Sequence, residues 1–155
     1  MPLTVLSVSY SLAHVSPKTA GGAEQVLATI DEALVRSGHR SLVVAPAGSQ
    51  CNGLVIPAHI PRGVLDENAK HEARRIFKQV LDRALNEYAV DVVHMHGIDF
   101  YDYLPDREVP IVVSLHLPLS CIGQMRYPGQ DRMSIWYAFQ SHNCKLLRVT
   151  YESVL

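Results

Sequence analysis

The chain has 155 residues, 48% of them hydrophobic, and a formal net charge of −1. That length suits one domain with a sizeable core, and the balanced charge argues against a nucleic-acid partner held by bulk electrostatics. No apolar run approaches the roughly 20 residues of a membrane span, and the amino terminus lacks the pattern of a signal peptide. Three widely spaced cysteines without a Cys-x-x-Cys pair argue against a disulfide framework and a cysteine zinc site, so a cytoplasmic protein is expected.

The first predicted element is a strand from Thr4 to Ser9, which a long loop, Ser11–Ala20, separates from Gly21 and Gly22. These glycines stand too far from the strand, and at the wrong spacing, for the Gly-x-Gly-x-x-Gly fingerprint of dinucleotide-binding proteins, so NAD binding is not expected. Bare backbone N–H groups at the beginning of a helix suit a phosphate. The alternative is that the glycine pair only lets the chain turn into its helix.

Apolar residues at helical spacing predict a first helix from Gly22 to Ser37, which ends at Gly38 in the left-handed cap position. A second strand is predicted at Arg40–Ala45 and a short third strand at Leu54–Ile56. A long amphipathic helix follows at Asp66–Tyr88. The long helix carries a basic face outside its apolar stripe, formed by Lys70, Arg74, Arg75 and Lys78. This face is interpreted as solvated, or alternatively as a contact for an anionic acceptor or a lipid head group.

Two later strands carry histidine near their carboxyl ends. The first is predicted at Asp91–Gly97 and contains His94 and His96, and the second is predicted at Ile111–His116. The remaining predicted elements are a short helical turn at Asp99–Leu104, a sixth strand at Trp136–Phe139 and a strand or helix at Lys145–Leu155.

Near-continuous apolar strands separated by helices indicate a mainly parallel sheet with helices on both faces, which is an α/β Rossmann-like, doubly wound fold. Ligands of such sheets bind beyond the carboxyl ends of the strands. The segments that contain Gly21, Gly22, His96 and His116 all leave those ends. That convergence is the main indication of a functional site.

The histidines allow more than one interpretation. His94 and His96 lie two residues apart on a strand and so point to the same face, where His116 or Asp99 would complete a zinc site. In the alternative, which is preferred for His94, the imidazole is structural and satisfies neighbouring backbone groups. His116 precedes a Leu-Pro pair that ends its strand, and its neutral imidazole suits a hydrogen bond with a sugar hydroxyl. His116 is therefore the leading site candidate, and no metal is expected.

Four segments occur in a particular order. They are Gly-Gly-Ala-Glu-Gln-Val after the first strand, Ser-Gly-His-Arg before a Leu-Val-Val-Ala-Pro strand, Asp-Val-Val-His-Met-His-Gly, and Val-Pro-Ile-Val-Val-Ser-Leu-His. With this ordered set, which covers the chain from about Leu3 to Ser120, the sequence resembles the amino-terminal half of retaining glycosyltransferases of the two-domain GT-B type in family 4.

The resemblance implies one Rossmann-like half that holds the acceptor and a second that holds a UDP- or GDP-linked sugar, with the active site in the cleft between them. Carried over by position, Gly21 and Gly22 lie against the donor diphosphate. His116 is the catalytic residue near the donor sugar and stabilises charge that develops in the transition state. His96 and Asp99 line the acceptor side. The resemblance implies no metal or other cofactor.

Residues 1–155 are therefore expected to form one acceptor-side domain, without the donor domain and its paired glutamates, and with little or no activity alone. The implied partners are a donor domain in cis or in trans, a sugar or lipid acceptor, and a second copy held through the exposed domain face. The expected location is cytoplasmic, with peripheral attachment to a membrane as an open alternative. Two other hypotheses are a non-catalytic module that binds a phosphorylated ligand or a protein, and a metal-dependent hydrolase that uses His94, His96 and His116.

Overall fold

The computed structural model of the chain describes residues 1–61, 63 and 66–116, together with the backbone of residues 135–139 and 146–149. In chain order its elements are β1 (Thr4–Val8), α1 (Gly22–Arg36), β2 (Arg40–Pro46), β3 (Leu54–Ala58), α2 (Glu67–Glu87), β4 (Val92–Met95), a short 3₁₀ helix (Phe100–Tyr103), β5 (Ile111–Leu115), β6 (Ile135–Phe139) and β7 (Leu146–Val149).

The strands form one sheet in the order β3-β2-β1-β4-β5-β6-β7. Neighbouring strands from β3 to β6 are parallel, and of the described strands β7 alone is antiparallel to its neighbour. The α/β Rossmann-like, mainly parallel fold predicted from the sequence is thereby confirmed. The strand order reverses between β1 and β4, and this switch point is where open α/β sheets leave a crevice for ligands.

Helices cover both faces of the sheet, and the side chains of β2 show how. Leu42 and Val44 belong to the core that Phe77 and other residues of α2 complete. Val43 and Ala45 point the other way and pack with residues of α1 in a second core. Because successive side chains of a strand alternate between faces, a strand buried on both sides needs the continuous apolar run that β2 has.

The helix boundaries follow from their caps. Gly38 has a φ of 78° and donates its N–H to the carbonyl of Val35, while the N–H of His39 bonds to the carbonyl of Leu34. This is the left-handed glycine stop that the sequence predicts. At the other helix, Asp66 is the N-cap of α2, and its carboxylate accepts the N–H of Ala69 at 2.8 Å.

Several predicted strand boundaries are wrong: β2 includes Pro46, β4 ends at Met95 rather than Gly97, and β3 does not stop at Pro57. The strand continues to Ala58, whose carbonyl accepts the N–H of Ala47 at 2.9 Å. β3 is an edge strand of the sheet, and an edge position tolerates a proline because the missing N–H is needed by no neighbour on the open side.

The buried side of α1 differs from its predicted apolar stripe, since it contains two carboxylates. Its buried residues are Glu24, Leu27, Ala28 and Asp31. Asp31 is fully buried and accepts hydrogen bonds from the hydroxyl of Ser41 at 2.6 Å and from the N–H groups of Asn52 at 2.6 Å and Gly53 at 3.1 Å. A buried charge is tolerated when donors surround it in this way, and here they tie α1 to β2 and to the loop before β3.

The basic face of α2 is paired with acids. Lys70 contacts Glu67 at 2.7 Å, Arg75 contacts Glu72 at 2.6 Å, and Lys78 contacts both Asp82 and Asp106. Its fourth cation, Arg74, contacts Asp99 and Asp102, which belong to the segment after β4. No described helix is both long and apolar enough to cross a membrane.

Candidate functional site

The carboxyl edge of the sheet gathers the segments that the sequence singles out. β1, β4 and β5 are parallel neighbours, so the chain leaves Val8, Met95 and Leu115 at the same edge. Burial raises the pKa of Tyr10, which follows β1, and the negative charges of Asp99 and Glu24 add to this effect. α1 begins at this edge too, because it connects the carboxyl end of β1 with the amino end of the parallel strand β2. Gly22, His96 and His116 therefore lie at the same edge of the sheet.

The long loop before α1 is anchored to the rest of the domain. Val15 is fully buried in the core beside α1. Its N–H bonds to the hydroxyl of Ser49 at 3.0 Å, and its carbonyl accepts the N–H of Gln50 at 2.8 Å. These bonds connect the loop to the turn after β2, so the loop reaches the glycine pair in a defined position.

The two glycines differ in what surrounds them. Gly21 is the N-cap of α1 and has extended backbone, with φ −76° and ψ 129°. A Cβ on Gly21 would overlap the carboxylate of Glu24, which is 8% exposed. A Cβ on Gly22 would meet nothing within 4 Å, and Gly22 is exposed. Gly21 is therefore packed against the carboxylate of Glu24, whereas Gly22 leaves open space beside the first turn of α1.

Three histidine rings form a row on one face of β4 and β5. His94 and His96 do share a face, with ring centroids 4.1 Å apart. The Nε2 atom of His94 lies 2.8 Å from the hydroxyl of Ser114. The Nδ1 atom of His96 lies 3.3 Å from Nε2 of His116, and these two rings are stacked at 5.5 Å. The row runs from the middle of the sheet to its rim, where His116 is partly exposed.

Burial keeps the inner histidines neutral. Desolvation, with a smaller contribution from the nearby His116, lowers the pKa of His94 from 6.5 to about 4. Desolvation also lowers the pKa of His96 well below 6.5, with smaller contributions from His94 and His116. Within the described parts of the chain, no group of three or more His, Cys, Asp or Glu residues is arranged to hold a metal ion.

A second polar cluster surrounds Asp99, which is 3% exposed. One carboxylate oxygen accepts the hydroxyl of Ser11 at 2.8 Å, and the other accepts the hydroxyl of Tyr103 at 2.8 Å. Arg74 lies 3.6 Å from Asp99 and 3.1 Å from Asp102. This network connects the exits of β1 and β4 to α2, and it holds the rim in one geometry.

Gly97 permits the close packing of that network. A Cβ at this position would overlap the hydroxyl of Tyr103, and it would lie 2.7 Å from Oδ1 of Asp99 and 3.2 Å from Cα of Tyr10. Any larger residue must therefore push apart the exits of β1 and β4.

With this geometry in place, the sequence can be compared with known families. Residues 20–150 match the model of Glycosyltransferase Family 4. The chain belongs to glycosyltransferase family 4. The matched region includes the glycine pair, both helices and the whole histidine row. No curated protein sequence gives a significant match to the chain.

The structure brings together the predicted site residues of this family 4 chain at one edge, while their roles remain predictions. Sequence reasoning missed Ser11, Tyr103 and Arg74, the partners of Asp99. It also treated Arg74 as one of four similar cations. The one available signal was that Asp99 and Tyr103 are four residues apart. That spacing brings two side chains together across one helical turn.

Acid should destabilise the family 4 chain through its buried histidines. A histidine in the unfolded chain titrates near about 6.5, whereas burial holds the pKa of His94 at about 4 in the folded chain. Between these values the unfolded state binds more protons, so the free energy of unfolding falls as the pH falls. For His94 alone the loss by about pH 5 is of the order of 2 kcal/mol, and His96 adds to it.

Urea unfolding between about pH 7.5 and pH 5 measures this dependence. His94→Gln removes one titrating group while it keeps an amide near Ser114. The free energy of unfolding of this variant should therefore change less with pH than that of the parent chain. His59 is exposed in the loop after β3, and His59→Gln serves as the matched control that leaves the slope unchanged. A parent chain equally stable at both pH values would contradict the assignment of neutral buried imidazoles.

Proposed function

We propose that the chain is the amino-terminal, acceptor-side domain of a retaining, GT-B type glycosyltransferase that uses a UDP- or GDP-linked sugar. The observation that carries this proposal is the common position of Gly22 and His116 at the carboxyl edge of a parallel sheet, within the region that matches family 4. A phosphate site and an imidazole on one rim suit a donor whose diphosphate and sugar are covalently joined.

The glycine pair is assigned to the donor diphosphate. The first N–H groups of α1 have no partner within the helix, and the positive end of the helix dipole lies at the same place. Gly22 is exposed and leaves this backbone uncovered. A diphosphate held there would receive hydrogen bonds from the backbone N–H groups of the first turn of α1.

His116 is assigned to the donor sugar, and the Asp99 network to the acceptor side. At the rim, the imidazole of His116 would position a sugar hydroxyl and stabilise charge that develops as the bond to the diphosphate breaks. His96 and Asp99 are 2% and 3% exposed. Their contribution on the acceptor side is therefore to support the surface that the acceptor contacts, rather than to offer a large surface of their own.

The remainder of the proposal concerns partners. A donor-binding domain, in cis or in trans, would close the cleft over this rim, and transfer by the isolated chain would be slight or absent. The acceptor is a sugar or a lipid-linked group. A second copy packed on the exposed face is the alternative way of covering that face.

The substitution Gly22→Val tests the donor assignment. A Cβ at this position would meet nothing within 4 Å beyond its own helix and chain neighbours, so the fold should tolerate the substitution while the diphosphate position is blocked. In the protein that contains this chain with its natural continuation, KM for the UDP- or GDP-linked sugar should rise by about 10-fold or more, which corresponds to about 1.4 kcal/mol of binding. Transfer is measured with a panel of donors.

Gly63→Val is the matched control, because a Cβ at Gly63 also meets nothing within 4 Å and Gly63 follows the edge strand β3, away from the switch point. Equal donor KM values for the two variants would contradict the assignment of Gly22. If a phosphorylated ligand binds at Gly22 but no sugar is ever transferred, the chain is instead a non-catalytic binding module.

A further inference from the structure

We propose that His96 is a positioning residue, which holds the side chain of His116 in the tautomer that carries its proton on Nδ1. This proposal rests on the proposed function only for its catalytic consequence. The contact itself is between Nδ1 of His96 and Nε2 of His116, 3.3 Å apart, with the two rings stacked.

His96 is held firmly enough to perform this task. Its backbone N–H bonds to the carbonyl of Val8 at 2.9 Å, which fixes it against the exit of β1. Its ring packs against that of His94 at 4.1 Å, and His94 is in turn held by the hydroxyl of Ser114. His96 is one of the largest fully buried side chains of the described residues.

The protonation of His96 follows from its unequal ring nitrogens. Among the described residues, Nε2 of His96 is buried without a hydrogen-bond partner, whereas Nδ1 faces His116. A neutral imidazole has one N–H donor and one acceptor. A proton on Nε2 would be a buried donor without an acceptor, which is energetically costly, whereas a proton on Nδ1 has an acceptor in His116.

The proton of His96 is therefore on Nδ1 and is donated to Nε2 of His116. As the acceptor of this bond, Nε2 of a neutral His116 has no proton of its own, so the proton of His116 is on Nδ1. An unrestrained histidine side chain in water favours the other tautomer. His96 thus determines which nitrogen of His116 donates a hydrogen bond and which accepts one.

Two substitutions separate this role from a purely structural one. His96→Phe keeps the ring, its stacking and its burial but removes the donor. His96→Asn places an amide N–H near the position of Nδ1 and should restore the donor in part. His59→Phe, in an exposed loop, is the matched control.

The first readout is ¹⁵N NMR of histidine-labelled protein, which distinguishes the tautomers from the ring nitrogen shifts and needs no activity. In the parent chain, His116 should show a protonated Nδ1, and His96→Phe should move the proton to Nε2. Protonated Nε2 of His116 in the parent chain would overturn the proposal, and this outcome is independent of whether His96→Phe folds.

The second readout is kinetic, in the protein that contains this chain. His96→Phe should lower kcat by about 10- to 100-fold with little change in KM, the range typical of groups that orient a histidine through its other ring nitrogen. His96→Asn should recover part of that loss. Equal losses in both variants would contradict positioning through the donor. If no sugar transfer is found at all, the proposed function fails while the tautomer assignment is still decided by NMR.

Discussion

Replacing His116 by alanine is expected to lower the rate of sugar transfer by about 100- to 1,000-fold in the protein that contains this chain. This is the range found when one preorganised group that stabilises transition-state charge is removed. His116 stands at the rim on the carboxyl side of β5, with its ring already held by the 3.3 Å contact to His96. The alanine variant loses a group that needs no reorganisation when the donor bond breaks. The loss should therefore appear in kcat more than in donor KM.

His59→Ala is the matched control for this measurement. His59 also follows the carboxyl end of a strand, β3, but at the edge of the sheet and away from the switch point. Its removal should leave transfer within about twofold of the parent rate. If His116→Ala and His59→Ala have the same activity, His116 does not take part in the reaction. An intact fold in both variants is verified by far-ultraviolet circular dichroism.

Replacing Asp31 by alanine is expected to lower the free energy of unfolding by about 3 kcal/mol or more. The substitution leaves three donors without their acceptor, namely the hydroxyl of Ser41 and the N–H groups of Asn52 and Gly53. Each buried donor that loses its partner costs about 1–3 kcal/mol, although partly buried N–H groups regain some water. For a small domain of ordinary stability this is a large fraction of the total.

Glu32→Ala provides the comparison, since Glu32 is the next residue of the same helix. Its carboxylate lies 3.5 Å from Arg36, and both side chains are exposed, so the change should stay within about 1 kcal/mol. Urea unfolding followed by circular dichroism measures both variants. If the two acids have equal effects, the hydrogen bonds to Asp31 contribute little to stability. Substitution of Gly53 should resemble Asp31→Ala, because a Cβ there would lie 2.7 Å from Oδ1 of Asp31.

Local patterns were sufficient to predict the elements of the fold. The stripe of α2 was predicted because its apolar residues recur at helical spacing, and Ala73, Phe77 and Leu81 are buried as expected. Gly38 was predicted as a helix stop because glycine adopts the left-handed conformation without strain. The parallel sheet followed from apolar strands that alternate with helices. The first two inferences use residues that are close together in the chain, and the third uses only the order of elements along it.

The same patterns misjudged α1, where hydrophobicity and burial do not coincide. Glu24 and Asp31 lie on the buried side of α1, and a carboxylate carries no sequence signal of burial. The donors of Asp31 come from Ser41, ten residues later, and from a loop twenty-one residues later. Arg74 was misjudged for the same reason, because its position in the helix resembles that of Lys70 and Arg75 while its partner Asp99 belongs to another segment.

By itself the sequence determined the strands and helices, the family and the edge of the sheet on which a site would lie, because periodicity, caps and the order of motifs are all properties of the linear chain. Tertiary structure alone decided which side chains touch there: Ser11 and Asp99 are 88 residues apart, and His96 and His116 are 20 apart. Those contacts depend on strand order and register, which bring distant residues together at distances where hydrogen bonds and desolvation act. For that reason the partners of His96 and Asp99 appear only in the folded chain.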